Sequence, residues 1–462
     1  MTAQLAVYFP HLSLALGGLV ILLAACFRRT PVTLFPILAG AFAVLPGLWA
    51  LTDPAGASGI GCFYAGLLSV VTLATVALTA RYAARRGFAG DALYGLLLWS
   101  ALGMLLLADA DDWLMLIVGL ELASLCLYAV VASRLSDPQG TEAALKYFLP
   151  GAMSLAVLVF GSALVFAGSG SLSLADSLAA GGPIVSAGLA LALIGLGFKL
   201  SLAPVHLWTP DVYQGAPAPI AAFLSTGSKA ATAAALLHLC AEASPEAREL
   251  LWPALAGVAG LTMAVGNIGA LRQKSVKRIL AYSSIAQMGY IAMAAMAVNE
   301  GGGEAALFYV ATFALMDLGA FGAVGLLSGE AGDRDDVASY QGLGYVHPWR
   351  AGALAVSLLS LAGLPPTAGF IGKFLVFGAA LRAGYVGLAA FGIVTAVIGI
   401  FYALRIVAAL YMQNGVEAQP VVPAPAGPAG GLALWAMAAG VLALGLFPGP
   451  LLAAIASLVG AG

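Results

Sequence analysis

Long, nearly uninterrupted apolar runs follow one another along the whole chain, separated by short stretches rich in Arg, Asp, Gly and Pro. A helix needs about 20 apolar residues to cross the hydrocarbon core of a bilayer. On that measure the first half predicts spans at 5–27, 31–52, 60–80, 92–108, 112–133, 143–167 and 183–203. The second half predicts spans at 218–241, 251–271, 276–298, 304–328, 350–381, 386–412 and 431–459. The expected fold is an all-α polytopic membrane protein of about 14 transmembrane helices. Strands of a membrane barrel would alternate apolar and polar residues, and these runs do not. The opening segment has its arginines (Arg28, Arg29) after the apolar run and no basic stretch before it, so it reads as a retained first span rather than a signal peptide.

Two runs are interrupted. Pro204 follows Lys199 in GLGFKLSLAPVHLWTPDVYQGAPAP, and Pro365 and Pro366 precede Lys373 in LAGLPPTAGFIGKF. Proline removes a backbone donor and clashes with the preceding turn, so helices 7 and 12 should break there. Broken helices persist in a membrane only where protein or water satisfies the freed groups. A broken helix in each half points to inverted repeats around a transport site near the midplane. The chain therefore reads as one membrane domain, 1–462. It divides into N-terminal helices over 1–90, a first five-helix repeat over 91–242, a second over 250–413 and a last helix over 431–462. The polar loop 329–349 is a connector, and the Pro/Ala-rich 414–430 a linker.

Composition agrees: 62% of residues are hydrophobic, 9% are charged, and the mean hydropathy is +1.00. Soluble chains carry roughly 25% charged residues. The net charge of −2 offers nothing to nucleic acid. Cys26, Cys62, Cys126 and Cys240 are scattered singly, which argues against metal sites, iron–sulfur clusters and a disulfide framework.

Charge then orients the chain. Loops after odd-numbered spans hold Arg28, Arg29, Arg81, Arg85, Arg86, Arg134, Arg272, Lys274, Lys277, Arg278, Arg334 and Arg350. Loops after even-numbered spans hold only Arg248 and Arg382, with acids such as Asp53, Asp109, Asp111 and Glu242. Under the positive-inside rule both termini are expected on the outer, periplasmic side of a bacterial-type inner membrane.

Against this background the charges inside spans stand out. Lys146, Lys199, Lys229 and Lys373 are four of only six lysines, and Glu121, Asp317 and Arg405 join them. A charge at the centre of a membrane helix costs roughly 2.5–3.5 kcal/mol on insertion scales, so such residues need a use. Snorkelling or a static ion pair is the plainer alternative, to be weighed against function for Lys146, one turn into its span, and evenly balanced for Arg405, as a brace between neighbouring helices. Lys199, Lys229 and Lys373 sit deeper. A lysine ammonium loses its proton more easily when desolvated and less easily when a carboxylate approaches. Arginine stays protonated under both conditions. Lysines in the spans and arginines in the loops therefore point to proton transfer. His206 follows the first break and is a candidate relay at neutral pH. His238 lies nine residues beyond Lys229, half a rotation away, and is a weaker one. Asp317, in YVATFALMDLGAFG, needs a partner or a proton.

At these residues the chain resembles the antiporter-like membrane subunits of proton-pumping NADH:quinone oxidoreductase (respiratory complex I), a family shared with the Mrp cation/proton antiporters. The segments that carry the likeness are 119–133, 141–152, 197–230, 267–290 and 361–374, and TPDVYQGAPAP is closest to the subunit-N branch. The resemblance implies that Glu121 pairs with Lys199, and that Lys146, Lys229 and Lys373 continue the proton path. It implies NADH, FMN, iron–sulfur clusters and quinone in partner subunits, and sister antiporter-like subunits alongside in the bilayer. With a fourteenth span expected over 431–459, the chain is expected to lack the lateral helix of the largest sister. Asp317 stands where a neutral polar residue is expected. No GxGxxG after a strand, haem motif or cluster cysteine occurs in the chain, so electrons are handled by partners. An Mrp-type Na⁺/H⁺ antiporter subunit, a hydrogenase subunit, and another quinone-reducing complex are the alternatives.

Overall fold

A computed structural model of the chain describes residues 7–27, 31–52, 59–88, 90–134, 137–330, 332–412 and 427–460. Arg28, Arg29 and Asp53, used above for orientation, and most of the 414–430 linker lie outside the described residues. The helices of the first half are α1 (Phe9–Ala25), α2 (Leu34–Ala50), α3 (Gly59–Arg85), α4 (Asp91–Ala108), α5 (Trp113–Val131), α6 (Pro138–Ser169), the short α7 (Leu174–Ala179), α8 (Pro183–Leu200) and α9 (Trp208–Gly215). They continue with α10 (Ala218–Glu242), α11 (Pro245–Leu271), α12 (Val276–Met296), α13 (Gly302–Leu327), the short α14 (Leu343–Val346), α15 (Pro348–Ala362), α16 (Ala368–Arg382), α17 (Val386–Tyr411), α18 (Pro428–Leu446) and α19 (Gly449–Gly460).

Among the described residues ten helices are long and apolar enough to cross a membrane: α3, α5, α6, α8, α10 to α13, α17 and α18. The segments expected at 5–27, 31–52 and 92–108 hold the shorter apolar helices α1, α2 and α4. The segment at 431–459 is two helices rather than one. Pro448 lacks an N–H, and the residue before it, Phe447, leaves the helical region at φ −131° and ψ 68°. α10, α12 and α13 are enclosed almost completely, whereas α6 and α18 keep broad apolar faces outward. In lipid such faces carry no penalty, so the interior is recognised by its polar content rather than its apolarity.

Both proline breaks are where the sequence places them. α8 stops at Leu200 on Ser201, which is left-handed (φ 62°), and helix resumes at Trp208. α15 stops at Ala362 on Gly363, also left-handed (φ 83°), and helix resumes at Ala368. The Ala203–Pro204 and Pro365–Pro366 bonds are cis.

A second correspondence is invisible in the apolar pattern. The start of α5 is pinned by two backbone hydrogen bonds, from Trp113 N to Leu172 O (3.0 Å) and from Leu174 N to Asp111 O (2.8 Å). The start of α12 is pinned in the same way, by Val276 N to Asp335 O (2.6 Å) and Val337 N to Lys274 O (2.9 Å). The two bridges are Asp112–Ser173 and Ser275–Asp336, so each partner recurs 163 residues later. Helix packing repeats at the same interval. Gly103 of α4 lies against the backbone of Ala123 in α5, and Gly266 of α11 against that of Ala286 in α12, with no space for a Cβ at either glycine.

Candidate functional site

Lys199 occupies the last turn of α8, where a cation meets the unpaired carbonyls of a helix end. It is buried, and its Nζ donates to the Tyr128 hydroxyl at 2.9 Å. The ammonium also stands 5.0 Å from the ring centroids of both Tyr128 and Tyr147, at cation–π range. Glu121 lies on α5 two turns before Tyr128, half-buried and on the same face. It acts on Lys199 electrostatically, but among the described residues no ion-pair contact joins the two. The polar group in hydrogen-bonding contact with the lysine is a tyrosine hydroxyl.

Aromatic rings lead from this lysine to the next. Tyr147 stacks on Trp208 (4.6 Å between centroids), Trp208 meets Tyr213 (6.2 Å), and Lys229 Nζ lies 5.4 Å from the Tyr213 ring. Lys229 directly follows a π-helical turn, Leu224–Ser228, within α10. The LSTGS sequence suits that turn because Ser225 and Thr226 both return their hydroxyls to the Ala222 carbonyl, at 3.0 and 2.7 Å. Such turns re-aim the residues that follow. Lys229 Nζ donates to Ser284 Oγ of α12 at 2.7 Å. Asp317 of α13 is fully buried; the nearby Ser225 hydroxyl is turned to the Ala222 carbonyl, so among the described residues neither carboxylate oxygen has a hydrogen-bond partner, and the group interacts electrostatically with Lys229.

From Ser284 the polar groups continue along α12. Gln287, one turn on, donates from Nε2 to the Leu361 carbonyl at 3.2 Å and accepts from the Tyr309 hydroxyl. Lys373 Nζ of α16 donates to the same carbonyl at 2.8 Å and lies 5.4 Å from the Tyr290 ring. Gly363 is required here twice over. Its φ is positive, and a Cβ would stand 2.9 Å from Lys373 Cδ.

The other sequence candidates are spread out. His206 is buried inside the first break, with Nδ1 unpartnered among the described residues. His238 lies with Nδ1 3.3 Å from the Ala110 carbonyl, on a cavity of about 460 Å³ shared with His11, Asp109, Asp111 and Glu242. Lys146, expected among the buried lysines, is 44% exposed and pairs with Glu142 (2.7 Å) and Asp211 (2.8 Å). Asp211 in turn holds Arg278 at 2.6 Å. Arg405 caps the end of α11, donating to the carbonyls of Leu271 and Gln273 at 3.0 and 2.5 Å. Among the described residues no three His, Cys, Asp or Glu side chains converge to hold a metal ion.

One buried ionic cluster escapes the sequence reading, which counted its members as loop charges. Asp333 accepts from Arg86 (2.7 Å), Lys277 (2.9 Å), the Tyr82 hydroxyl (2.7 Å) and the Ala218 amide at the start of α10 (3.0 Å). Lys277 also donates to the Ala216 carbonyl at 2.6 Å. The two cations hold the Asp333 carboxyl well below the usual carboxylate range despite its burial. Nothing in the local sequence marks the cluster, because its members come from α3, α12 and the loop before α14.

Residues 110–399 match a family model described as "NADH:quinone oxidoreductase/Mrp antiporter, TM". A protein named NADH-quinone oxidoreductase subunit N 1, from Solidesulfovibrio magneticus, is 74% identical over 460 residues, covering both chains completely. A chain of respiratory complex I from Thermus thermophilus, solved with bound aureothin, superimposes with TM-score 0.84 at 36% identity over 96% of this chain and 99% of that one. A chain of the Mrp complex from Dietzia superimposes with TM-score 0.86 at 21% identity over 99% and 97%, a likeness of fold alone.

Proposed function

The chain belongs to the NADH:quinone oxidoreductase/Mrp antiporter family of membrane proteins, and we propose that it is the subunit-N-type proton-translocating subunit of an NADH:quinone oxidoreductase. In that role it is one part of an enzyme complex whose NADH, FMN, iron–sulfur and quinone sites belong to partner subunits, sister antiporter-like subunits among its neighbours. Its place is a bacterial-type inner membrane, with both termini on the outer side. The family relation and the 74% identity carry the assignment to the complex. The Mrp antiporter alternative shares the family model, but the Mrp chain that superimposes does so at 21% identity, a likeness of fold.

One observation carries the role of the lysines. Lys199, Lys229 and Lys373 each donate to a neutral oxygen, a tyrosine hydroxyl, a serine hydroxyl and a backbone carbonyl. Lys277, by contrast, is locked on the Asp333 carboxylate at 2.9 Å. A carboxylate in contact pins the ammonium form; a neutral oxygen accepts from it without holding the proton in place. The three lysines are therefore arranged to lose and regain a proton, and Lys277 is arranged to stay charged. In the proposed sequence, quinone reduction in a partner shifts Glu121 relative to Lys199. A proton then passes from Lys199 to Lys229 and on to Lys373. The buried hydroxyls of Tyr147 and Tyr213 flank the first of these transfers. Lys146, exposed in an ion-paired flank, supports the path from its edge, and His206 and His238 serve as side relays.

The two pinned helix starts, 163 residues apart, support a division into repeats over 91–242 and 250–413. The function is tested by replacing Lys229 with alanine in the assembled complex and measuring protons translocated per NADH oxidised. Translocation should fall steeply; an unchanged ratio refutes the reading.

A further inference from the structure

The 163-residue correspondence aligns α5 with α12 residue by residue, since bridge, helix start and glycine contact all keep the same interval. Under that alignment Glu121, the carboxylate that acts on Lys199, corresponds to Ser284. Ser284 is the hydroxyl to which Lys229 donates at 2.7 Å. The second half therefore has no acid at the position where the first half has its own. It has one on the neighbouring helix instead. Asp317 of α13 is fully buried, neither oxygen has a hydrogen-bond partner among the described residues, and α13 packs on both the π-helical turn and the segment bearing Lys229.

We infer that Asp317 is the second half's replacement for the acid found at Glu121: a positioning carboxylate that sets the charge of Lys229 from α13 instead of α12. Each half then contains one lysine hydrogen-bonded to a hydroxyl and one carboxylate acting on it from beyond contact, Tyr128 and Glu121 for Lys199, Ser284 and Asp317 for Lys229. The chemistry explains why both oxygens are left unpartnered. A carboxylate fully satisfied by donors is fixed as an anion, as Asp333 is. One without donors holds its charge only while a cation is near, so it follows the protonation of Lys229. When Lys229 is charged, Asp317 is its counter-ion and the pair is neutral. When the Lys229 proton moves on toward Lys373, Asp317 is left as an uncompensated buried anion that draws the next proton to the site. The charge of the second half is thereby reset within the chain itself, without Glu121 reaching across the break.

This inference rests on Lys229 being a proton carrier, so the test includes a control for that reading. Asp317→Asn, Asp317→Glu, the double variant Asp317→Asn with Ser284→Glu, and Lys229→Ala are each assembled into the full complex and reconstituted in vesicles. Protons translocated per NADH oxidised are measured for each. Asp317→Asn should lower that ratio as far as Lys229→Ala does, by the share that passes through this subunit. Asp317→Glu should keep most of it. The double variant, which moves the carboxylate to the position equivalent to Glu121, should recover translocation that Asp317→Asn alone lacks. A role in packing alone would not be rescued by a charge placed on a different helix. Wild-type translocation in Asp317→Asn, or no recovery in the double variant, overturns the inference while a defective Lys229→Ala leaves the proposed function standing. Should Asp317→Asn fail to assemble, the double variant against Ser284→Glu alone decides in the same way. Normal translocation in Lys229→Ala defeats the proposed function itself.

Discussion

Lys373 reaches back across the Pro365–Pro366 break to donate to the carbonyl of Leu361, 2.8 Å away, and shares that acceptor with Gln287. The break frees the carbonyl, because a helix end leaves its last acceptors without intrahelical donors. The interruption and the lysine are thus one device: the proline exposes an oxygen inside the membrane and the lysine satisfies it. Lys373→Met keeps the bulk of the side chain and removes the donor. Gln287 still satisfies Leu361, so the complex is expected to assemble, while translocation per NADH falls by this subunit's share, as in Lys229→Ala. Native electrophoresis and vesicle acidification measure the two separately; normal translocation would remove Lys373 from the path.

The Tyr128 hydroxyl is the direct partner of Lys199. Tyr128→Phe retains the ring over the ammonium and deletes one hydrogen bond to a charged group, worth roughly 1.5–3 kcal/mol. Translocation is expected to drop, and thermal stability of the complex to fall by no more than that one bond, since the ring contacts with Tyr147 and Phe148 persist. Unaltered turnover and coupling in Tyr128→Phe would show that the hydroxyl only fills space.

Asp333 is expected to behave as a structural residue. Removing one member of a buried ion pair costs about 3–5 kcal/mol, so Asp333→Ala should lower the melting temperature or block assembly. The pH dependence has a definite sign. A carboxyl held below its ordinary value in the folded state stabilises above its unfolded pKa, and that contribution is lost as pH falls toward the folded value. The deficit of Asp333→Ala against wild type should therefore be constant from about pH 5 to 8 and narrow only below about pH 4. A deficit that varies across neutral pH would assign the effect to another group.

Lys146 is expected to contribute little to folding, because its ion pairs with Glu142 and Asp211 are open to solvent and Arg278 remains on Asp211 when the lysine is gone. Lys146→Ala should melt with wild type in detergent. A marked loss of stability would mean that the flank is more tightly closed than its exposure indicates.

Much of this architecture was legible from the chain. The apolar runs mark the spans because water and lipid sort side chains so sharply, and the prolines mark both breaks because they cannot continue a helix. The depth of Lys199, Lys229 and Lys373 was legible for the same reason. Burial was not legible where a helix is apolar all round. Nothing in α6 says which face meets lipid, and Lys146 proved to be on the outside. Lys277 reads as a loop cation until the 328–336 loop folds Asp333 over it. The π turn before Lys229 leaves the apolar pattern of α10 unchanged. Nothing in the local sequence singles out Tyr128, and only its position two turns from Glu121, facing Lys199, gives it a role.

The central claim is that the buried lysines carry protons rather than merely charge, and Lys229→Arg tests it most directly. Arginine keeps the positive charge and a donor for Ser284, but its guanidinium does not give up its proton. In the assembled complex, with NADH oxidation driving acidification of vesicles, Lys229→Arg should translocate as poorly as Lys229→Ala. Translocation at the wild-type ratio in Lys229→Arg would contradict the account, because a fixed charge would then suffice.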